Sequence, residues 1–195
     1  MEDEDVVRKR IIEETKNRFI ECGTDFSVDT IAKNTKTSKK TIYRIFGNKN
    51  MLLVEMVDSI FESIFERVDQ VFEDESLEAV DILRELLFII SESFWGYNIR
   101  AMLELKETKD SGEAVIREMD MMLDSLWNRV GKVVDFGVSE GDLRNVSVEN
   151  IRFIVESIMI SLTDKIKSRS IKREELETII DELVCILTDG VRNIF

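Results

Sequence analysis

Apolar side chains recur with a helical period along most of the chain. Between Glu4 and Cys22, the residues Val7, Ile11 and Phe19 share one face with Thr15 at intervals of four residues or multiples of four, which predicts a first helix. A glycine follows Cys22, as is common where a helix ends.

A longer stripe begins further along the chain. From Asn48 to Phe72 the apolar positions follow one face over about seven turns, which predicts a single long helix. The same period predicts five more helices, Leu77–Trp95, Ile99–Thr108, Glu113–Phe136, Val148–Ser168 and Arg173–Ile194. Proline is absent and glycine occurs only eight times, so the turn residues that strands need are scarce. The predicted fold class is therefore all-α, with about nine helices.

Two short helices separated by a tight turn are predicted within residues 27–47. Ser27 precedes "VDTIAKN" and Ser38 precedes "KKTIYRIF", and each serine is placed to accept a backbone N–H bond as an N-cap. The polar segment "TKT" lies between the two helices. A helix, a short helix, a three-residue turn and another helix form the outline of a helix-turn-helix module.

The positive charge of the chain is concentrated in this module. The formal net charge is −13, yet residues 6–50 contain 11 Lys and Arg side chains against 5 Asp and Glu, and residues 51–195 contain 16 against 31. Lys39 and Lys40 stand in the first turn of the third predicted helix, where the helix dipole favours acids. We expect phosphate to compensate for this arrangement. In the alternative interpretation, the lysines form a solvated face.

Residues 27–53, "SVDTIAKNTKTSKKTIYRIFGNKNMLL", with "FIECG" before them, resemble the DNA-binding segment of the TetR/AcrR family of bacterial transcriptional regulators. The resemblance covers about residues 6–56 and implies an amino-terminal helix-turn-helix domain followed by a helical domain that binds a ligand and dimerises. We place these domains at residues 1–50 and 51–195. By position, the resemblance implies that Ser38, Lys39, Lys40, Thr41, Tyr43 and Arg44 face the major groove and its phosphates, and that Ser27 and Lys49 contact phosphate.

The turn departs from the family pattern. Thr35, Lys36 and Thr37 stand where the family usually has alanine, glycine and valine. A lysine is therefore expected at a position that suits a positive φ angle, at a cost on the order of 1 kcal/mol.

The last two predicted helices carry apolar stripes wider than one core contact needs. They are either two well-buried core helices or, as the resemblance also implies, the two helices that each protomer contributes to a four-helix bundle in a homodimer. The residues assigned to that interface are Ile158, Leu162, Ile180, Leu183, Val184, Leu187 and Val191.

Large or adaptable side chains are concentrated between residues 88 and 127. They either fill a core or line a pocket for a hydrophobic or amphipathic small molecule, and the resemblance favours a pocket. The residues assigned to it are Phe88, Trp95, Tyr97, Met102, Met119, Met122 and Trp127.

Several other functions receive no support. The chain contains no histidine and no glycine-rich phosphate loop, so we expect no enzyme activity, cofactor or metal site. Without an apolar leader or a long apolar segment, a cytoplasmic location and no membrane partner are expected. The function predicted is a ligand-responsive regulator, a repressor, that binds a quasi-palindromic operator as a homodimer and is released by its effector. The alternative is a helical interaction protein that binds a protein partner.

Overall fold

The computed structural model describes residues 3–23, 25–96, 113–167 and 172–192. Over these residues the chain forms eight α-helices and no β-strand, which confirms the all-α fold class. The predicted helix Ile99–Thr108 lies outside the described residues. The helices are α1 (Glu4–Cys22), α2 (Val28–Asn34), α3 (Lys39–Phe46), α4 (Lys49–Glu73), α5 (Ala79–Gly96), α6 (Glu113–Glu140), α7 (Val148–Lys167) and α8 (Arg173–Val191).

The first three helices have the predicted bounds because their ends are determined locally. The Asp3 side chain accepts a bond from the Asp5 backbone N–H at the start of α1. The Gly23 N–H donates to the Phe19 carbonyl at the end of the helix, and Gly47 closes α3 in the same way with the Tyr43 carbonyl. Both glycines have positive φ angles, 62° and 80°.

Helix α6 continues past the predicted end at Phe136. It passes through Gly137 to Glu140, and Gly141 follows with a φ of 86°. A β-carbon on Gly137 would lie 2.6 Å from the Leu143 side chain and 2.9 Å from the β-carbon of Ala79. Gly137 therefore permits close packing inside the helix and does not mark the helix end.

The described residues divide into two compact units. The first contains the described residues up to Ser63 together with Gly96 and Glu113–Met122, and the second contains Ile64–Trp95 together with the described residues from Leu123 onward. The boundary falls inside α4 and again inside α6. The division into residues 1–50 and 51–195 concerns function and stays a prediction.

The first unit has its own apolar core. Ile11 and Phe19 of α1 and Ile31 of α2 have no exposed surface, and Ile42 of α3 is 1% exposed. Thr15 is also buried, and its hydroxyl donates to the Ile11 carbonyl at 2.7 Å, so the predicted face of α1 carries its one polar group without an unpaired donor. Burial of each large side chain contributes about 1.5 to 3 kcal/mol before entropy is counted. This core fixes the positions of α2 and α3.

The second unit is closed by a backbone contact between distant segments. After α6, Leu143 forms a β-bridge with Arg192, and the Arg144 N–H donates to the Val191 carbonyl at 2.8 Å. Leu143 is itself buried. The bridge ties the segment between α6 and α7 to the end of α8. None of the helices in the described part of the chain combines the length and the apolar composition needed to span a bilayer.

Candidate nucleic-acid interface

Helices α2 and α3 begin with the same capping arrangement. The Ser27 hydroxyl accepts from the Thr30 N–H at 3.1 Å, and the Ser38 hydroxyl accepts from the Thr41 N–H at 3.0 Å. In each cap the threonine hydroxyl lies within 2.9 Å of the serine hydroxyl. Both predicted N-caps are therefore formed, and the cap of α3 sets the first turn at Lys39 and Lys40.

The turn between these helices keeps a regular geometry without a glycine. Lys36 has a φ of 54° and is the only non-glycine residue with a positive φ in the described part of the chain. Its N–H donates to the Lys33 carbonyl at 3.3 Å, and the Thr37 N–H donates to the Ala32 carbonyl at 2.9 Å. These two bonds define a Schellman motif with lysine at the position that usually holds glycine. The expected positive φ at Lys36 is confirmed.

The threonine that precedes Lys36 is integrated into the core. Thr35 is 3% exposed, and its hydroxyl donates to the Ile31 carbonyl at 2.7 Å. The third residue of the turn, Thr37, is half-buried. The turn therefore accommodates polar residues because the hydroxyl of Thr35 is paired within α2.

Helix α3 presents two different faces. Ile42 and Phe46 are buried, and Ile45 is half-buried. The opposite face carries the residues implied by the resemblance, which are exposed except for the half-buried Thr41: Ser38, Lys39, Lys40, Thr41, Tyr43 and Arg44. The structure thus brings these six residues together on one accessible side of α3, and a role in DNA contact stays a prediction.

Two cations of this face are paired with acids from other helices. Lys39 donates to the carboxylate of Asp29 on α2 at 2.8 Å, and this hydrogen bond raises the pKa of the lysine. Arg44 donates to the carboxylate of Glu4 on α1 at 2.6 Å. Lys40 is exposed and has no ion-pair partner among the described residues.

Lys49 is tied to the segment before α2. Its ammonium donates to the Phe26 carbonyl at 2.9 Å and lies 4.4 Å from the centre of the Phe26 ring. Burial lowers the pKa of this lysine. The contacts fix the start of α4 next to the cap of α2, so Lys49 and Ser27 lie on neighbouring segments, as phosphate contacts from both would require.

Arg8 is a structural residue of the module that the sequence did not reveal. Its guanidinium forms an ion pair with Glu55 of α4, donates to the Ile45 carbonyl at 3.3 Å and lies 5.0 Å from the centre of the Phe46 ring. The hydrogen bond to Glu55 is the largest influence on its pKa, which is raised. Arg8 thus fastens the end of α3 to α1 and α4. Its partners lie 37 or more residues away in sequence, so no local pattern indicates them.

The residues assigned to an effector pocket are only partly described. Met119 and Trp127 are buried, and Phe88 and Met122 are half-buried. Phe88 lines a groove of about 400 Å³ together with Arg67 and Glu85. The side chains of Trp95, Tyr97 and Met102 lie outside the described part of the chain.

Trp127 lines a second, more polar groove of about 820 Å³ with residues of α6 and the start of α7. Its indole N–H is buried, and no hydrogen-bond partner is found for it among the described residues. No group of three or more His, Cys, Asp or Glu side chains in the described ranges is arranged to hold a metal ion.

Most residues assigned to a dimer interface are covered by their own chain. Leu162, Ile180, Val184 and Val191 are at most 9% exposed, and Ile158, Leu183 and Leu187 are half-buried. The exposed apolar residues of the same two helices are instead Phe153, Ile154 and Ile186, at 72%, 41% and 70%. Helical spacing identified both helices as apolar but did not show which side faces outward.

Comparison with known proteins identifies the module. Residues 11–56 match the family model described as bacterial regulatory proteins, tetR family. These residues are therefore similar to the amino-terminal module of the TetR family. An uncharacterized HTH-type transcriptional regulator of Bacillus subtilis, YvaF, is 25% identical to this chain over 99 residues. The match covers 51% of the chain and 52% of the relative, so the chain spans about half the length of YvaF.

Solved structures share the fold of this chain at low sequence identity. A TetR-family transcriptional regulator from Agrobacterium tumefaciens superposes with a TM-score of 0.78 at 14% identity, covering 97% of this chain and 100% of the other. The transcriptional regulator FadR from Bacillus subtilis, solved in complex with stearoyl-CoA, gives 0.70 at 19%, covering 94% and 98%. These likenesses establish the fold over nearly the whole length.

Proposed function

We propose that this chain is a ligand-responsive repressor of the TetR family that binds a quasi-palindromic DNA operator as a homodimer. The observation that carries the proposal is the amino end of α3, where the Ser38 cap presents Lys39 and Lys40 on an exposed face. Cations in the first turn oppose the helix dipole by roughly 0.3 to 1 kcal/mol each, and phosphate at the same place removes that penalty. Duplex DNA is the partner that supplies phosphate along a groove wide enough for a helix.

In this proposal the exposed face of α3 enters the major groove. Thr41, Tyr43 and Arg44 lie toward base edges and the flanking backbone, while Lys39 and Lys40 meet phosphate. Ser27 and Lys49 contact phosphate on the other side of the groove. The positive charge of residues 6–50 supports this orientation, because the strongly acidic remainder of the chain is repelled by DNA.

The homodimer is proposed to form through α7 and α8. Phe153 and Ile186 are more than two-thirds exposed, and such apolar surface gains about 25 cal/mol for each Å² that a second copy covers. A twofold dimer presents two copies of α3 to half-sites about one helical turn, ~34 Å, or more apart. This arrangement assigns DNA reading to residues 1–50 and assembly to residues 51–195.

The effector is proposed to be a hydrophobic or amphipathic small molecule that releases DNA. The buried indole N–H of Trp127 supports an amphipathic ligand, because a buried donor without a hydrogen-bond partner among the described residues can bind the polar group of such a molecule. The FadR structure with stearoyl-CoA shows that one protein of the same fold accommodates a molecule with an apolar chain. Coupling of about 1 to 3 kcal/mol between the two sites would lower DNA affinity roughly 5- to 150-fold. In this proposal the chain acts in the cytoplasm as a regulator and not as an enzyme.

The proposal is tested by titrating labelled duplex DNA with the full chain at several salt concentrations. We expect binding that weakens steeply with salt, and we expect Lys40→Ala and Lys49→Ala each to weaken it for every sequence while reducing the salt slope by about 1. Lys132→Ala, which removes an exposed lysine of α6, serves as the matched control. Absence of duplex binding at low salt would refute DNA binding and favour the protein-partner alternative.

A further inference from the structure

Carboxylates from the two helices that precede α3 hold two of its exposed cations. Asp29, in the first turn of α2, pairs with Lys39 at 2.8 Å, and Glu4, the first residue of α1, pairs with Arg44 at 2.6 Å. All four side chains are about half exposed or more, between 48% and 67%. The acids therefore lie at the same accessible surface as the cations that they hold.

The two pairs differ from the ion pairs that form within α1. Glu13 bonds to Lys16 within the same helix, and Glu21 pairs with Arg18 in the same way. Glu4 and Asp29 instead reach across to another helix and to the face that the proposed function assigns to DNA. Exposed ion pairs contribute little to folding stability. Their main effect is therefore on the positive charge that α3 offers to a ligand.

We propose that Glu4 and Asp29 restrain binding to DNA of arbitrary sequence by competing with phosphate for Arg44 and Lys39. This inference rests on the proposed DNA-binding function. Non-specific binding is almost wholly electrostatic, and each cation that neutralises a phosphate releases counterions. A cation that is already paired with a carboxylate contributes less to DNA affinity, because its ion pair must first break. The unpaired carboxylate then lies close to the phosphate backbone, which repels it. Glu4 and Asp29 thus act as specificity-determining residues, since base contacts at an operator can compensate for the exchange.

The experiment compares Glu4→Gln and Asp29→Asn with the wild-type chain on a mixed-sequence duplex. At low salt we expect each variant to bind about two- to fivefold more tightly than the wild type. The slope of log affinity against log salt should become steeper by about 0.9 for each restored cation. Glu13→Gln is the matched control, because it removes one exposed, ion-paired acid of α1 whose partner is not on α3.

A double-mutant cycle shows whether Glu4 acts through Arg44. When Arg44 is already replaced by glutamine, Glu4→Gln should change DNA affinity no more than the Glu13→Gln control does. In that background Glu4 has no arginine to withhold from phosphate. Helical content and melting temperature are measured for every variant, so that a change in folding is not mistaken for a change in affinity. Equal affinities and salt slopes for Glu4→Gln, Asp29→Asn and Glu13→Gln would overturn the inference while leaving DNA binding intact. A wild-type chain that binds no duplex at any salt concentration would instead refute the proposed function.

Discussion

Lys36 holds the left-handed backbone conformation between α2 and α3 with a side chain that does not favour it. The Schellman bonds from Lys36 and Thr37 require this conformation, and Thr35 beside them is buried. A β-carbon at positive φ costs on the order of 1 kcal/mol. A lysine at this position therefore lowers the free energy of unfolding relative to glycine.

We predict that Lys36→Gly raises the free energy of unfolding relative to Lys36→Ala by less than about 1 kcal/mol. Both variants remove the same charge, but alanine keeps the strained β-carbon, and the extra freedom of glycine in the unfolded chain reduces the gain. Urea denaturation followed by circular dichroism measures the difference. Equal stability of the two variants would show that the turn stores no strain.

A second residue, Asp58 on α4, is predicted to make stability depend on pH. Burial is the main cause of a pKa raised from 3.8 to about 6, and the neighbouring carboxylates of Glu118, Glu55 and Glu62 add to it. A raised pKa in the folded state means that stability is greatest when the group is protonated. The contribution of Asp58 to stability is therefore fully present below pH 3.8 and is lost as the pH rises through about 6.

Asp58→Asn should therefore stabilise the chain at pH 7 and have little effect near pH 4. Denaturation midpoints at both pH values measure this change. Glu66→Gln, an exposed acid on the same helix, is the control and should show no comparable pH-dependent gain. A constant difference between Asp58→Asn and the wild type at both pH values would contradict the prediction.

At the scale of elements, α6 shows that one residue type can serve opposite purposes within a helix. Gly131 has open space around the position of a β-carbon, whereas Gly137 lies against Leu143 and Ala79. Gly131 lowers the helix propensity of α6 and permits no close contact in exchange. Gly137 allows the segment after α6 to pack against the helix. The two positions therefore provide a matched pair on one helix.

Gly137→Ala is predicted to destabilise the chain by about 1 to 3 kcal/mol, because the new methyl group would overlap Leu143 in a closely packed site. Gly131→Ala should stabilise it by about 0.5 to 1 kcal/mol through helix propensity alone. Thermal unfolding of the two variants tests both signs. A stabilising Gly137→Ala would show that Leu143 moves aside without cost.

The elements also show where sequence patterns stop being informative. The caps at Ser27 and Ser38 depend on residues within three positions, so the sequence predicted α2 and α3 with the bounds that the structure has. The contacts of Arg8, Glu4 and Asp29 join separate helices, and no local period encodes them. The predicted end of a helix at Phe136 is wrong, because sequence alone does not show what packs against the glycine that follows it.

On the scale of the whole molecule, the same limit applies to assembly. The stripes on α7 and α8 correctly marked both helices as rich in apolar residues, but the period does not distinguish the face covered by the chain itself from the face left for a partner. Val184 and Ile180 are buried within the protomer, so substituting them would report on folding. The side chains that can report on association are Phe153 and Ile186.

We predict that the double variant Phe153→Ser, Ile186→Ser shifts the proposed dimer toward monomer without loss of helical content. Each buried apolar side chain of this size contributes about 1.5 to 3 kcal/mol, so the dissociation constant of the dimer should rise at least about tenfold. Sedimentation velocity over a range of concentrations measures the shift. Phe136→Ser, which removes an apolar side chain of α6 that is 55% exposed, controls for surface hydrophobicity alone. A double variant that remains as dimeric as the Phe136→Ser control would exclude these faces of α7 and α8 as the interface, and a wild-type monomer at high concentration would exclude the homodimer itself.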